Sequence, residues 1–311
     1  MIRGVARARD GAKLAWQYLK APAGAGASPV VLVGGWASDA NLWATLPPSL
    51  YAEGHGVLAF DHRGVGASTL AATDEKVTID TLADDVLAVA DDAGINEKAH
   101  LLGVSMGGMV AQRIALSHAD ALPLASLTLG CTTHGGKHAA PPPMEFFACF
   151  DDWDDGDDAR RAAAEAFLGH GLMCTTPSST DMRMCYDESE QRWAARDGAN
   201  GDRRFAALVD EFLATPRTRA GIMAQRGALM RFNTRDELAA LRDAALPVHV
   251  VHGDGDAIMP RDNARMLEEA VGGGRVRTTV LEGVGHLWWL GGPQRRAAVD
   301  AVANFLRDAE E

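Results

Sequence analysis

Cysteine is scarce in this chain of 311 residues: Cys131, Cys149, Cys174 and Cys185 are the only four, and no two stand in CxxC spacing. So few thiols over this length suggest neither a disulfide framework nor a zinc site, and reduced cysteines in a cytosolic setting are expected. Long apolar runs are missing as well. Nothing approaches the roughly 18 consecutive apolar residues that a membrane helix needs. The stretch Met1 to Asp10 carries arginines without the apolar run of a secretion signal. A soluble, cytoplasmic protein with no stable membrane association is therefore expected. Basic charge is also in deficit, since 42 acidic against 30 basic residues leave a net charge of -12. That balance repels phosphate backbones and anionic headgroups, so nucleic acid is not an expected partner. There is no internal repeat. What remains, 47% hydrophobic and 23% charged residues, is the composition of a packed body with one large core or two modest ones.

The segment Val5 to Trp16 changes character around Asp10-Gly11, a pair suited to a tight hairpin turn, so an antiparallel hairpin is expected to open the fold. After the small residues Ala21 to Ser28 come the short apolar runs Val30 to Val33, Val57 to Phe60, His100 to Val104 and Leu124 to Leu129. Stretches with helical periodicity separate them. One follows Thr78 and aligns Ile79, Leu82, Val86 and Val89. Another is the last, opened by Pro293, with Val299, Val302 and Leu306 on one face. This alternation predicts an α/β fold with a mostly parallel sheet flanked by helices. Between about Thr132 and Phe232 the pattern turns to Pro141-Pro142-Pro143, an acidic run and helical stretches without a clear strand. The strand pattern resumes at Pro247 to His252 and at Val276 to Leu281. An α/β core over 1–132 and 233–311, interrupted by a helical cap over 133–232, is the expected organisation.

Gly103-Val104-Ser105-Met106-Gly107-Gly108 contains G-x-S-x-G. The pattern alone is weak, but here Leu101, Leu102 and Val104 finish a buried strand and Met109, Val110, Ile114 and Ala115 continue as a helix. Ser105 would sit on the sharp strand-to-helix turn that exposes its hydroxyl, with glycines at 103 and 107 relieving the crowding. A serine hydroxyl needs a base, and the base needs an acid to orient it. Among ten histidines, His286 in Gly283-Val284-Gly285-His286 lies just past the last strand and before the last helix. His249 and His252 fall in a buried strand and read as structural, while His55, His62, His100 and His118 lack a comparable setting. The acid should end a strand between serine and histidine, and Gly253-Asp254-Gly255-Asp256 offers two. Asp256 is preferred because Pro260 stands ready to begin the next helix; Asp254 is the alternative, unless it only braces the turn. An acyl-transfer site also needs oxyanion donors. The backbone amides of Met106, after the nucleophile, and Trp36, after Val31-Leu32-Val33-Gly34-Gly35, are the candidates, and with Trp288 they are the expected substrate contacts.

With these residues the chain resembles the α/β-hydrolase superfamily, in the branch of capped serine esterases, lipases and cofactor-free haloperoxidase-like enzymes. The resemblance rests on the elbow, on Asp61-His62-Arg63-Gly64-Val65-Gly66-Ala67-Ser68 as the family's D-x-R-G-x-G-x-S loop, on Gly253-Asp254-Gly255-Asp256 with Pro260, and on Gly285-His286. One departure stands out: family members commonly carry His-Gly at the oxyanion strand, where this chain has Gly34-Gly35. The resemblance implies a nucleophile elbow and triad of Ser105, His286 and Asp256. Dehalogenases and epoxide hydrolases of the superfamily use aspartate at the elbow, so Ser105 argues against both.

The acidic run Asp151 to Asp158 fails as a calcium loop because Trp153 takes a ligand position and Ala162 stands where a bidentate glutamate belongs. His134 and His138 lack evident further ligands. Of the methionines and aromatics in 133–232 (Met144, Phe146, Phe147, Phe150, Met173, Met182, Met184, Trp193, Phe212), most should build the cap's own core, and some, with Trp288 and Trp289, should line an adaptable apolar wall. The expectation is an esterase acting on a small, largely hydrophobic substrate through an acyl-enzyme, without metal or organic cofactor. The same triad could serve perhydrolysis or cleavage of a lactone, an amide or a carbon-carbon bond, and a ligand-binding receptor on this fold is the rival from another class. Oligomeric state is not legible.

Overall fold

The computed structural model describes residues 1–71, 76–173, 184–187, 192–195, 199–290 and 292–311. Eight strands form one sheet, in the spatial order 2–7, 13–19, 57–60, 30–33, 99–104, 124–130, 248–253 and 276–281. β1 (Ile2–Arg7) and β2 (Lys13–Leu19) pair antiparallel with Arg7 opposite Lys13. The expected hairpin is thus present, but its connection runs from Ala8 to Ala12 and is not a two-residue turn. Gly11 takes the positive φ of 89° there, while the Asp10 side chain accepts the Ala12 N–H at 3.1 Å.

β2 runs antiparallel to β4 (Val57–Phe60). β3 (Val30–Val33), β5 (Ala99–Val104), β6 (Leu124–Gly130), β9 (Val248–Gly253) and β10 (Val276–Leu281) continue the sheet in parallel. β3, β4, β5 and β9 are buried along their whole length, which is why they read as unbroken apolar runs. The runs at 30–33, 57–60 and 276–281 coincide with strands; β5 starts one residue early, β6 ends one late, and β9 is displaced by one.

Helices flank this sheet. α1 (Leu46–Ala52) packs on α10 (Gly292–Asp308), while α2 (Ile79–Asp92), α3 (Met106–Ser117), α8 (Ala239–Asp243) and α9 (Asp262–Val271) form a row of neighbours. α2 begins where its sequence says it should: Thr78 caps the Thr81 amide, and the Thr81 hydroxyl caps Thr78 in return, two orphan donors satisfied at one turn. Ile79, Leu82, Val86 and Val89 are all buried.

Between β6 and β9 lie α4 (Met144–Ala148), α5 (Asp157–Leu172), α6 (Ala199–Ala214) and α7 (Arg219–Met230). They are joined by a feature the sequence reading lacks, an antiparallel ribbon of β7 (Met184–Asp187) and β8 (Arg192–Ala195). Two four-residue strands are too short to set up a legible alternation. Cys174 and Met182, and the side chains of Met184, Cys185 and Trp193, lie outside the described residues. Phe146, Phe150 and Phe167 from this segment close on the ring of Trp36, with centroids 5.5, 5.0 and 6.2 Å away.

After β3 the chain crosses to β4 on one side, and β5 then returns to β3's other side. A crevice opens where neighbouring strand ends diverge in this way, here at the carboxyl ends of β3 and β5. No helix among the described residues is long and apolar enough to cross a membrane.

Candidate active site

Ser105 leaves β5 with φ 58° and ψ −122°, a left-handed conformation costly for any residue with a Cβ, and α3 starts at the next residue. The turn is held open by its neighbours. The Ser105 amide donates to Gly130 O at 2.9 Å, and Thr132 Oγ1 donates to Ser105 O at 2.7 Å. A Cβ on Gly103 would overlap the Gly107 carbonyl, and one on Gly107 would overlap that of Val33. The two glycines therefore let β5, α3 and the end of β3 approach closely enough to form the elbow.

His286 sits past β10, and its Nδ1 lies 2.7 Å from Asp256 Oδ2. The other carboxylate oxygen, Oδ1, accepts the amides of Ile258 at 2.9 Å and Met259 at 2.8 Å. Asp256 is wholly buried; burial alone would raise its pKa, but the charge and hydrogen bond of His286, with His252 and the Met259 amide, outweigh it and hold the carboxyl below its ordinary value. An ionised Asp256 puts the proton of a neutral His286 on Nδ1 and leaves the lone pair on Nε2, the form a general base requires. Asp254 does something else: its Oδ1 accepts the Gly283 amide at 2.7 Å and ties the β9 loop to the loop carrying His286.

The cavity that Ser105 and His286 share is otherwise lined by Gly35, Trp36, Ser38, Leu42, Val104, Phe146, Phe167, Gly171, Ile258, Leu287 and Trp289, and it holds about 350 Å³ of free space, counting the solvent at its mouth. Gly35 faces the nucleophile: a Cβ there would lie 3.2 Å from Ser105 Cβ and 3.7 Å from its Oγ. Of the expected substrate contacts, Trp36 is on this wall. Met106 is not among the lining residues, although as the first residue of α3 its N–H has no acceptor within the helix. Trp288 is buried beside Gly130 and is not among them either. The neighbouring indole, Trp289, takes that place and donates from Nε1 to Leu42 O at 2.8 Å. In a loop, sequence cannot say which of two adjacent tryptophans turns inward.

One residue next to the candidate triad was not anticipated. Cys131 follows β6, is fully buried, and offers a sulfur that forms with Asp256 and His286 a set of atoms all within 4.8 Å of one another. Burial, then the charge of Asp256, push its thiol well above the ordinary range, so it remains protonated. Its position at a strand end next to β9 was the available signal. A second cluster, His55, His100 and Glu310, lies within the same span. There His100 Nε2 meets Glu310 Oε1 at 2.9 Å and His55 Nδ1 donates to Ser28 O at 2.8 Å, so hydrogen bonding accounts for the arrangement.

The other sequence candidates have structural duties. His249 Nε2 meets Thr279 Oγ1, and His252 Nε2 donates to Met259 O at 2.8 Å. In the acidic run Trp153 is buried and donates to Arg217 O, Gly156 takes φ 110° before α5, and Asp151 pairs with Arg226 at 2.7 Å. His134 Nδ1 donates to Gly135 O.

A model of the alpha/beta hydrolase fold family matches residues 28–293. A pimeloyl-[acyl-carrier protein] methyl ester esterase from Aeromonas hydrophila is 29% identical over 281 residues, covering 89% of this chain and 94% of that protein. An esterase from Exiguobacterium antarcticum superposes with a TM-score of 0.72 at 21% identity, over 98% of this chain and 100% of that one. The enol-lactonase from Burkholderia xenovorans LB400 does so with a TM-score of 0.73 at 22% identity, over 98% and 100%. At such identities the superpositions speak to the fold alone.

Proposed function

Because the chain belongs to the alpha/beta hydrolase fold family, we propose that it is a serine esterase that cleaves small, largely hydrophobic carboxylic esters through an acyl-enzyme. The observation that carries the reading is a strained serine and a carboxylate-bound imidazole facing one small apolar cavity. Ser105 Oγ attacks the ester carbonyl while His286 Nε2 takes its proton, and Asp256 stabilises the imidazolium through Nδ1. The amides of Trp36 and Met106 receive the oxyanion. The tetrahedral adduct collapses as the imidazolium protonates the departing alkoxide, leaving an acyl-Ser105. Water then attacks the acyl carbon as it gives a proton to His286 Nε2; the second adduct expels Ser105 Oγ, which takes that proton back, and the acid leaves with the triad restored.

Segment 133–232 acts as the cap in this reading. Phe146 and Phe167 come from it, Trp36, Leu42, Ile258, Leu287 and Trp289 from the core, and together they make a wall suited to an alkyl or aryl group rather than a charged one. The kinship with an enzyme named for a methyl ester supports ester cleavage over the other bonds this triad can break.

Intact-mass labelling with a fluorophosphonate, on the native protein and on Ser105→Ala, tests the nucleophile, and p-nitrophenyl esters of graded acyl length test the cavity. Labelling and turnover that both vanish in S105A are expected. A folded native protein that takes no label would overturn the serine mechanism and favour ligand binding without turnover.

A further inference from the structure

The loop that follows β3 opens on Gly34 and Gly35, the residue type with the least backbone restraint of its own. Yet the loop is far from unsupported. Ala37 takes a φ of 57°, a conformation that a loop held only by its own backbone would relax out of. Four hydrogen bonds to other segments hold residues 34–37, and three of them come from the stretch that follows α6. The Trp36 indole Nε1 donates to Ile222 O at 2.8 Å. The Ala37 amide donates to Gln225 Oε1 at 2.9 Å. The Ala37 carbonyl accepts Arg217 Nε at 2.9 Å. The fourth comes from the core, where His62 Nε2 donates to Gly34 O at 2.8 Å.

Gln225 is the centre of this brace. It is fully buried, and both ends of its amide are committed: Oε1 to Ala37, and Nε2 to Arg63 O at 3.0 Å. Arg63 is fixed in turn by a buried two-pronged pair with Asp85, at 2.7 and 2.6 Å. Arg217 anchors the other side, paired with Asp39 at 2.8 Å and stacked 3.5 Å over the Phe212 ring. A buried amide with two fixed partners cannot turn without leaving a polar group unsatisfied, so it sets the position of whatever it holds. What it holds is the peptide directly after Trp36.

We infer that Gln225 is a positioning residue for the oxyanion hole, fixing the Trp36 amide from α7 and so making the 133–232 segment part of the catalytic geometry as well as a wall of the cavity. The inference rests on the esterase reading. The stiffening of a loop that opens on two glycines thus comes from a glutamine 188 residues away in sequence. A purely structural glutamine would, when replaced, lower stability and leave the balance between ground-state and transition-state binding alone.

The test compares Gln225→Leu, which removes both hydrogen bonds, with Gln225→Glu, which as the neutral acid in this buried site keeps the acceptor toward Ala37 and donates its O–H to Arg63 O. A second variant, Trp36→Phe, removes the bond to Ile222 O and also trims a ring that lines the cavity and packs on Phe146, Phe150 and Phe167. Each is assayed with a p-nitrophenyl ester for kcat and KM, with an alkylboronic acid whose tetrahedral adduct occupies the oxyanion hole, and for fluorophosphonate labelling rate. The expected result is a fall in kcat of about 10- to 100-fold in Q225L, a step below the loss of a donor itself. KM should change less than threefold, boronate affinity should fall in parallel with kcat, and Q225E should recover most of the loss. W36F should also lower kcat and boronate affinity, and Gln225→Met, closer to glutamine in shape and equally without both hydrogen bonds, carries the test if Q225L does not fold. Equal boronate affinity and labelling rates in folded variants and native protein would overturn the inference; a native protein that is never labelled would instead overturn the esterase reading.

Discussion

Replacing Asp256 by asparagine tests the proposed orienting role of this carboxylate apart from its packing, because the structure dictates which way the new amide must face. Asp256 Oδ1 accepts two backbone amides, from Ile258 and Met259. An asparagine there must keep its carbonyl oxygen at that position, since its NH2 would set donor against two donors. The NH2 then faces His286 Nδ1, where Oδ2 now lies 2.7 Å away. That nitrogen is forced to accept, the ring proton moves to Nε2, and the lone pair that should take the Ser105 proton is gone. All the buried polar groups remain paired, so D256N should fold with a Tm close to native. Activity should nonetheless fall about 10⁴-fold in kcat, or about 5 kcal/mol of transition-state stabilisation. The assay is steady-state hydrolysis of p-nitrophenyl acetate, with thermal melting as the control. Asp254→Asn is the matched comparison: its carbonyl can still accept the Gly283 amide, and kcat should change less than about threefold. D256N within tenfold of native, or a D254N as crippled as D256N, would refute the assignment of the acid.

Gly103→Ala places a methyl group on the Gly107 carbonyl and should destabilise the fold by about 3 kcal/mol, read as a lower denaturation midpoint in urea. Phe146→Ala widens the cavity beside Ser105, and the ratio of kcat/KM for p-nitrophenyl hexanoate to that for acetate should rise about tenfold. On acidification the protein should lose stability between pH 7 and 5. Burial, the largest influence on each, holds folded His62 at about 4 and His249 at about 3, so the unfolded chain binds protons first, and each histidine removes about 2 kcal/mol by pH 5. Urea titrations at pH 7, 6 and 5 check this, and a midpoint that rises toward pH 5 would contradict the sign.

The sheet was legible because β3, β4, β5 and β9 are buried on both faces and so are written as unbroken apolar runs. The elbow was legible for a steric reason: Gly103 and Gly107 lie where no Cβ fits, so backbone packing is recorded directly in residue type. Asp256 and His286 are short-range readings, each a polar residue a few positions beyond a clear strand. The inward turn of Trp289 rather than Trp288, and the link from Ala37 to Gln225, had no such record. They depend on where distant segments meet, and a single glutamine in an amphipathic helix looks like any solvated position. The β7–β8 ribbon was lost for the opposite reason, being too short for periodicity to speak.

Strain and the candidate chemistry coincide in this molecule. Among the described residues five non-glycines have positive φ, and three of them, Ala37, Ser105 and Cys131, follow β3, β5 and β6, which are adjacent in the sheet. Each costs on the order of 1–3 kcal/mol and survives only where its surroundings leave no alternative. Here those surroundings are specific bonds: Ser105 N to Gly130 O, Cys131 N to Val251 O, Ala37 N to Gln225 Oε1. The positive-φ residues that follow β5 and β6 and lie four residues past β3 bring, in the proposed mechanism, a hydroxyl, the buried thiol beside Asp256 and an oxyanion-donor loop to one edge of the sheet. In the proposed mechanism the strain is therefore the device that aims the reactive groups, and its cost is met by packing and hydrogen bonds in the core and in the segment above it.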